Sequence, residues 1–408
     1  MPDRTLNCIV PPHVLDHLLQ SSDTAIREAA LSTLLTTTRL RGEREIRGAL
    51  RGLSSPRRGW RTVFDCRNNT FLPLAVLARS EDGSPATDNS VNQAFDGLGA
   101  TRQFYMEVLG RDSIDDRGMR LDGYAHRGTN YNNAFWDGQE MVFGDGDGRV
   151  FTDFTASLDV IGHELTHGVT EHTAALEYHV QSGALNESLS DVMGSLVKQW
   201  FLRQTADEAD WLIGTEVFTP GIGADALRSL KAPGEAYDNQ LLGKDPQPDH
   251  MQRYVQLPDT EEGDNGGVHI NSGIPNKAFF LTAVEIGGFA WEAPGHIWYE
   301  SLRASTPTTD FQAFADTTFT TAGALFGQDS VEQKAVVAAW DDVGITVTAA
   351  PKGLRSAQAG YPGDADGANP MADLTRQMAE LTKQLQVFSR ELQSRPQDTI
   401  TGGKPGRG

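Results

Sequence analysis

The pentapeptide His163-Glu164-Leu165-Thr166-His167 constrains this chain more than any other feature of it. In a helix, histidines at i and i+4 stand one above the other on a single face, where two imidazole nitrogens can grip one zinc ion and Glu164 stands beside it as a general base. That pair alone is incomplete, because catalytic zinc takes three protein ligands and keeps a fourth position open for water. Residues 183–191 offer the rest: Glu187 and Asp191 lie at i and i+4 among Leu185, Leu189, Val192 and Met193, on a stretch too apolar to be wholly exposed. Glu187 is the natural third ligand. Asp191 is the natural acceptor for the far nitrogen of a ligating imidazole, which would hold that ring in one tautomer. The plainer alternative for the pair is a solvated acidic face.

Four further motifs occur in the order Tyr131-Asn-Asn-Ala-Phe-Trp136, Gly144-Asp-Gly-Asp-Gly148, Asn186-Glu-Ser-Leu-Ser-Asp191 and Asp264-Asn-Gly-Gly-Val-His-Ile-Asn-Ser-Gly273. With the pentapeptide they make the sequence resemble the thermolysin-like neutral metalloproteases over about residues 61–347. The resemblance implies an α+β fold of two lobes, a β-rich N-terminal lobe and a helical C-terminal lobe joined at the zinc-binding helix. It implies a zinc-dependent endopeptidase acting on peptides and proteins through one catalytic ion, held by His163, His167 and Glu187.

Within that resemblance Glu164 takes a proton from water and passes it to the leaving amine. Tyr178 and His269 donate hydrogen bonds to the developing oxyanion, and Asp264 orients His269. Asn133 and the carbonyl of Ala134 lie on an edge strand where an extended peptide pairs through its backbone, and Arg228 binds a substrate carbonyl. Phe154, Val160, Ile213, Val217 and Leu227 fall at the positions of an apolar pocket, so cleavage is expected before bulky hydrophobic residues. Without the resemblance, Tyr178 reads as a packed aromatic, His269 as structural and Arg228 as a surface ion pair. An aminopeptidase also uses a His-Glu-x-x-His…Glu arrangement, but the Gly-x-Met-x-Asn type of motif that accompanies an anchor for a free amine is missing.

Calcium is where the sequence departs from the family. Asp159 and Asp210 match ligand positions of the paired calcium site, but Lys198, Leu212 and Thr215 stand at others. An ammonium can supply positive charge in place of the ion, and too few hard oxygen ligands remain, so the double site is expected to be lost.

The ends of the chain differ from its middle. Residues 1–61 carry ten arginines against six acids, a net +4, which leaves −24 on the remainder of a chain whose total is −20. A basic N-terminal segment facing an acidic body suits an intramolecular partnership, and the acidic surface argues against nucleic acid. Helix-like stretches near residues 13–20 and 24–38 follow Pro11, Pro12 and Leu15, a Pro-Pro-x-x-Leu motif that resembles the short propeptide of the protealysin-like branch. Residues 1–57 are therefore expected to be an inhibitory propeptide, 58–175 the β-rich lobe with the zinc helix, and 176–348 the helical lobe. No disulfide framework is possible with Cys8 and Cys66 alone, and the Cys8 thiolate could cap the zinc of the zymogen or be a plain thiol.

Residues 349–408 read as a Gly/Pro/Ala/Asp linker, then Met371, Leu374, Met378, Leu381, Leu385, Phe388 and Leu392 at heptad spacing, then a disordered tail. The heptad helix could zip chains into an oligomer or dock as a single helix. No run is long and apolar enough for a membrane span or signal peptide. The resemblance favours secretion, and the missing signal leaves a cytoplasmic stage or unconventional export open. Residues 61–156 alternate β-rich runs with turns around a helical pattern at 90–109, and helical patterns dominate from about 157, including 272–286 and 330–340.

Overall fold

A computed structural model describes residues 7–49 and 60–348 of the chain. The linker and heptad expectations therefore lie outside the described residues. The N-terminal segment forms strand β1 (Asn7–Cys8), helix α1 (Pro12–Leu18) and helix α2 (Thr24–Ala49). The proline pair places Pro12 at the first turn of α1, where a missing N–H costs nothing. The sequence pattern places the second helix near residues 24–38, and α2 continues to Ala49. Thr33, Thr37 and Leu40 are buried on one face of α2; the Thr33 hydroxyl accepts the Asn132 backbone N–H at 3.0 Å, and the Thr37 hydroxyl lies 3.3 Å from the Tyr131 hydroxyl.

The next lobe is built on β2 (Arg61–Asp65), β3 (Val76–Ser80), α3 (Asn89–Leu109), β4 (Leu121–Ala125), β5 (Ala134–Trp136) and β6 (Glu140–Phe143). Six strands make one mixed sheet in the order β1-β5-β6-β4-β2-β3, with β2, β4 and β6 parallel and the other pairings antiparallel. Strand β1 thus extends the sheet across the outer edge of β5, pairing Asn7 with Trp136 and Cys8 with Phe135. Because side chains alternate along a strand, Ala134 and Trp136 face the main core, while Phe135 joins Cys8, Cys66 and Tyr131 in a second apolar cluster. Helix α3 is capped by the Asp88 carboxylate, which accepts the Val91 N–H at 3.0 Å.

Helices dominate from α4 (Leu158–Glu171) and α5 (Val180–Leu202) onward, through the small β7 (Leu212–Ile213) and β8 (Arg228–Ser229) pair, α6 (Asp264–Asn271), α7 (Gly273–Ile286), α8 (Ala293–Ala304), α9 (Phe311–Phe326) and α10 (Val331–Asp342). The close crossing of α4 and α5 positions the site. A Cβ on Gly194 would sit 2.4 Å from the Asp159 carbonyl oxygen, and one on Gly162 would sit 3.0 Å from the Gly194 Cα. Glycine at both positions lets the two backbones touch, which brings His163 and His167 directly opposite Glu187 and Asp191. The main core runs continuously from these helices to Ile9, Val14, Leu15 and Leu18 of the N-terminal segment, which is thereby packed as part of the body.

Candidate metal centre and cleft

The histidine pair sits on α4, of which every residue from Asp159 to Thr170 is buried. Its two rings are locked from behind. His163 Nδ1 lies 2.8 Å from Asp191 Oδ1, and His167 Nδ1 lies 2.8 Å from Asn186 Oδ1 and 3.1 Å from the Ser190 hydroxyl. A carboxylate and an amide oxygen only accept, so each Nδ1 carries the proton and each Nε2 presents a bare lone pair. Those lone pairs face one another at 3.0 Å, an arrangement that repels unless a cation lies between them. Glu187 closes the group, with carboxylate oxygens 3.5 Å from His163 Nε2 and 3.4 Å from His167 Nε2. Its Oε2 is buried with no hydrogen-bond partner. Among the described residues His163, His167 and Glu187 form a group fit to hold a metal ion. Burial lowers His167 to about 3, keeping it a neutral ligand. Burial opposes the charge of Glu187, but the protonated His269 facing it outweighs this and holds the carboxyl below its usual range.

Asp191 is completely buried and far from a solvated acidic face. Burial disfavours its charge, but Arg228 and His163 overcome that and keep it ionised well below the ordinary carboxyl range. Arg228 Nε and Nη2 reach its two oxygens at 2.8 Å each, and the Asn276 amide donates to Oδ2 at 2.9 Å. Arg228 is therefore in a buried ion pair rather than a surface one. Its Nη1 is left to donate to the Ile9 carbonyl at 3.0 Å.

Glu164 Oε2 accepts the Trp136 backbone N–H at 3.0 Å, and Oε1 has no hydrogen-bond partner. Burial, reinforced by the neighbouring Glu187 charge, pushes its pKa well above the usual carboxyl value. Across the cleft, α6 begins with Asn265, Gly266 and Gly267 at φ 48, 83 and 79°. Glycine suits the last two left-handed positions, and the turn lets Asp264 grip His269 twice, through the ring Nδ1 at 2.6 Å and the backbone N–H at 2.9 Å. Burial opposes protonation of His269, but the charges of Asp264 and Glu187 raise it to about 9. The Tyr178 hydroxyl donates to Glu187 and lies 3.2 Å from His269 Nε2.

The edge strand is occupied by the chain itself. Ile9 N–H donates to the Ala134 carbonyl at 3.3 Å, Val10 N–H to Asn133 Oδ1 at 3.0 Å, and the Cys8 carbonyl lies 3.2 Å from His269 Nε2. The Cys8 side chain shares the Phe135 face of the sheet and is not among the metal-binding group, so its carbonyl rather than its thiol faces the chemistry. It is also not linked to Cys66. A cavity of about 210 Å³ remains beside it, lined by Cys8, Leu34, Thr37, Asn133, Glu261 and His269. Phe154, Val160, Ile213, Val217 and Leu227 are all buried in the main core together with Ile9. Lys198 Nζ bridges Asp159 at 3.0 Å and Asp210 at 2.9 Å.

Sequence reasoning gave no role to Asn186, Asn276 or the Trp136 N–H. Only Asn186 had a legible signal: the second imidazole needs an acceptor as the first does, and a neighbour of Glu187 on the same helix can supply it.

A mixed fold with an i, i+4 histidine pair, a facing glutamate and a raised glutamate beside them defines a metal-dependent hydrolase. Comparison with known proteins makes this specific. Residues 52–171 match the thermolysin metallopeptidase catalytic domain and residues 174–345 its alpha-helical domain. The chain is 45% identical over 346 residues to Protease PrtS of Photorhabdus sp. (strain Az29), covering 83% of this chain and 92% of that protein. It is 44% identical over 352 residues to an extracellular metalloprotease of Pectobacterium carotovorum subsp. carotovorum, covering 85% and 99%. The solved structure of the precursor of protealysin, a metalloproteinase from Serratia proteamaculans, superposes with a TM-score of 0.74 at 45% identity, covering 83% of this chain and all of that one. The chain belongs to the thermolysin metallopeptidase family, whose metal is zinc.

Replacing Asn186 by alanine frees the His167 ring from its acceptor and is expected to weaken zinc binding about 10–100-fold, as measured by competition with a chromophoric chelator. Unchanged affinity would show that Ser190 alone fixes the ring.

Proposed function

We propose that this metalloendopeptidase is made as a zymogen in which residues 1–57 inhibit the two lobes at 58–175 and 176–348. Its catalytic groups in this reading are Glu164, Tyr178, His269 and Asp264. The observation that carries the proposal is the N-terminal backbone lying on Asn133, Ala134 and Arg228, the groups expected to hold a substrate. Zinc bound by His163, His167 and Glu187 would lower the pKa of water to about 7 and polarise a carbonyl. Glu164 accepts the water proton and delivers it to the leaving nitrogen. His269, held by Asp264, and Tyr178 donate to the developing oxyanion, while Arg228 fixes the carbonyl beyond the cleaved bond. The buried, apolar character of Phe154, Val160, Ile213, Val217 and Leu227 supports a preference for bulky hydrophobic residues just after that bond. The extracellular Pectobacterium relative supports secretion, and no helix among the described residues is long and apolar enough to cross a membrane.

Processed enzyme is expected to cut casein and blocked peptides internally, before Leu, Ile or Phe. Chelation should abolish this, and Glu164→Gln should lower kcat about 10²–10⁴-fold while zinc content, read by atomic absorption, is kept. Equal activity in all three samples would sink the mechanism.

The Lys198 ammonium, raised above its ordinary pKa because Asp159 and Asp210 outweigh its burial, supports the reading that it replaces calcium. Millimolar calcium should then shift the thermal midpoint of the enzyme by no more than about 2 °C. A rise of many degrees would argue for a retained site.

His13 couples latency to pH. Its Nε2 lies 2.9 Å from the Tyr237 hydroxyl, its Nδ1 is buried without a partner, and Asp264, His269, Arg228 and His17 are the charged or titratable groups around it. Burial lowers its pKa from 6.5 to about 4, Asp264 only partly offsetting this. A group whose docked pKa is depressed favours docking fully above 6.5, and that contribution is lost as pH falls from there towards 4. The activity ratio of processed enzyme to full chain should fall roughly tenfold or more between pH 7.5 and pH 5, and His13→Gln should flatten the change. An equal fall in the variant would assign the effect to other groups.

A further inference from the structure

We propose that the Cys8–Ile9 peptide bond is held as the bond to be hydrolysed, so that the zinc-loaded precursor cuts its own N-terminal segment there. This rests on the peptidase reading above and adds a processing site to it. Four backbone contacts bracket this one bond. On its carbonyl side the Cys8 oxygen lies 3.2 Å from His269 Nε2. On its amine side the Ile9 N–H donates to the Ala134 carbonyl at 3.3 Å. One residue further, the Ile9 carbonyl receives Arg228 Nη1 at 3.0 Å and the Val10 N–H donates to Asn133 Oδ1 at 3.0 Å.

The chain direction is what turns these contacts into a cleavage register. A segment laid on β5 in the opposite sense would block the cleft equally well, yet it would not put a carbonyl against His269 with the following amide nitrogen on the Ala134 carbonyl. Here the carbonyl end of one peptide bond meets the oxyanion donor, and its amine end is held on the strand whose Trp136 N–H holds Glu164. Ile9, the residue just after that bond, is fully buried in the main core cluster with Phe154, Val160, Ile213, Val217 and Leu227, and is itself bulky and aliphatic.

The step needs only water. Its oxygen bonds to the Cys8 carbonyl carbon, the C–N bond to Ile9 breaks, and the proton accepted by Glu164 passes to the Ile9 nitrogen. The second water proton leaves the new carboxyl group for the same nitrogen, so the products are a Cys8 carboxylate and an Ile9 ammonium. Release of the rest of the segment is a separate event, because Val14, Leu15 and Leu18 of α1 and Thr33 and Thr37 of α2 remain buried against the body.

The test uses the full chain. After zinc is added at several protein concentrations, intact mass and N-terminal sequencing should show loss of residues 1–8, Ile9 as the new terminus, and a rate independent of concentration. Ile9→Asp should slow the cut at least about tenfold, and Ile9→Leu, which keeps the bulk, should restore it. In the metal-free chain the Ile9 and Val10 amides should exchange hydrogen at least about a hundredfold slower than in an unstructured peptide. A precursor that keeps residues 1–8 while processed enzyme digests casein would overturn the proposal and leave the peptidase reading intact, as would cleavage at a different bond or unprotected Ile9 and Val10 amides. Processed enzyme that leaves casein untouched would overturn both.

Discussion

The Asp191 carboxylate is the contact on which the rest of the site depends. Fully buried, it accepts from His163 of α4, Arg228 of β8 and Asn276 of α7 while belonging itself to α5. Four elements distant in sequence are thus tied at one negative charge. Such a charge is tolerable in the interior only because its partners surround it, and removing one partner of a buried pair typically costs about 3–5 kcal/mol. Through His163 the same charge fixes the tautomer that a metal needs, and through Arg228 it fixes the direction of the donor that meets the Ile9 carbonyl. The metal-binding histidines and the contact to the N-terminal segment therefore share a single electrostatic anchor.

A second buried charge organises the far end of α4. Lys198 on α5 reaches Asp159 at the start of α4 and Asp210 beyond the end of α5, binding the two helices at the opposite end from the histidines. Between these ends the backbones touch at Gly162 and Gly194, so the two helices have little freedom to slide. Rigidity of that kind suits a metal centre, in which displacing a ligand by a fraction of an ångström changes the geometry of the reaction.

What could be read from the sequence was what is local in the chain. The i, i+4 spacings of His163 with His167 and of Glu187 with Asp191 lie on single helices, and their periodicity survives folding unchanged. Asn276 was not legible, because its amide reaches Asp191 from a helix 85 residues away and nothing in its own neighbourhood marks it. Thr33 and Thr37 were silent for the same reason: both lie inside the expected helix, but nothing nearby marks their hydroxyls as the groups that meet Asn132 and Tyr131. The register of β1 was invisible for the same reason: strand pairing depends on the edge of β5, more than a hundred residues later. The thiol of Cys8 drew attention as a metal ligand, but the alternation of side chains along β1 sends it to the opposite face.

The pairing of β1 with β5 also bears on how the protein survives as a folded molecule. An unpaired strand edge is an open template for any passing extended chain, and proteins commonly cover or shorten such edges to avoid association. Here strand β1 of the same chain covers that edge, and the brevity of β5, three residues from Ala134 to Trp136, limits how much of it there is to cover. The N-terminal segment thus leaves the β5 edge paired instead of open to association.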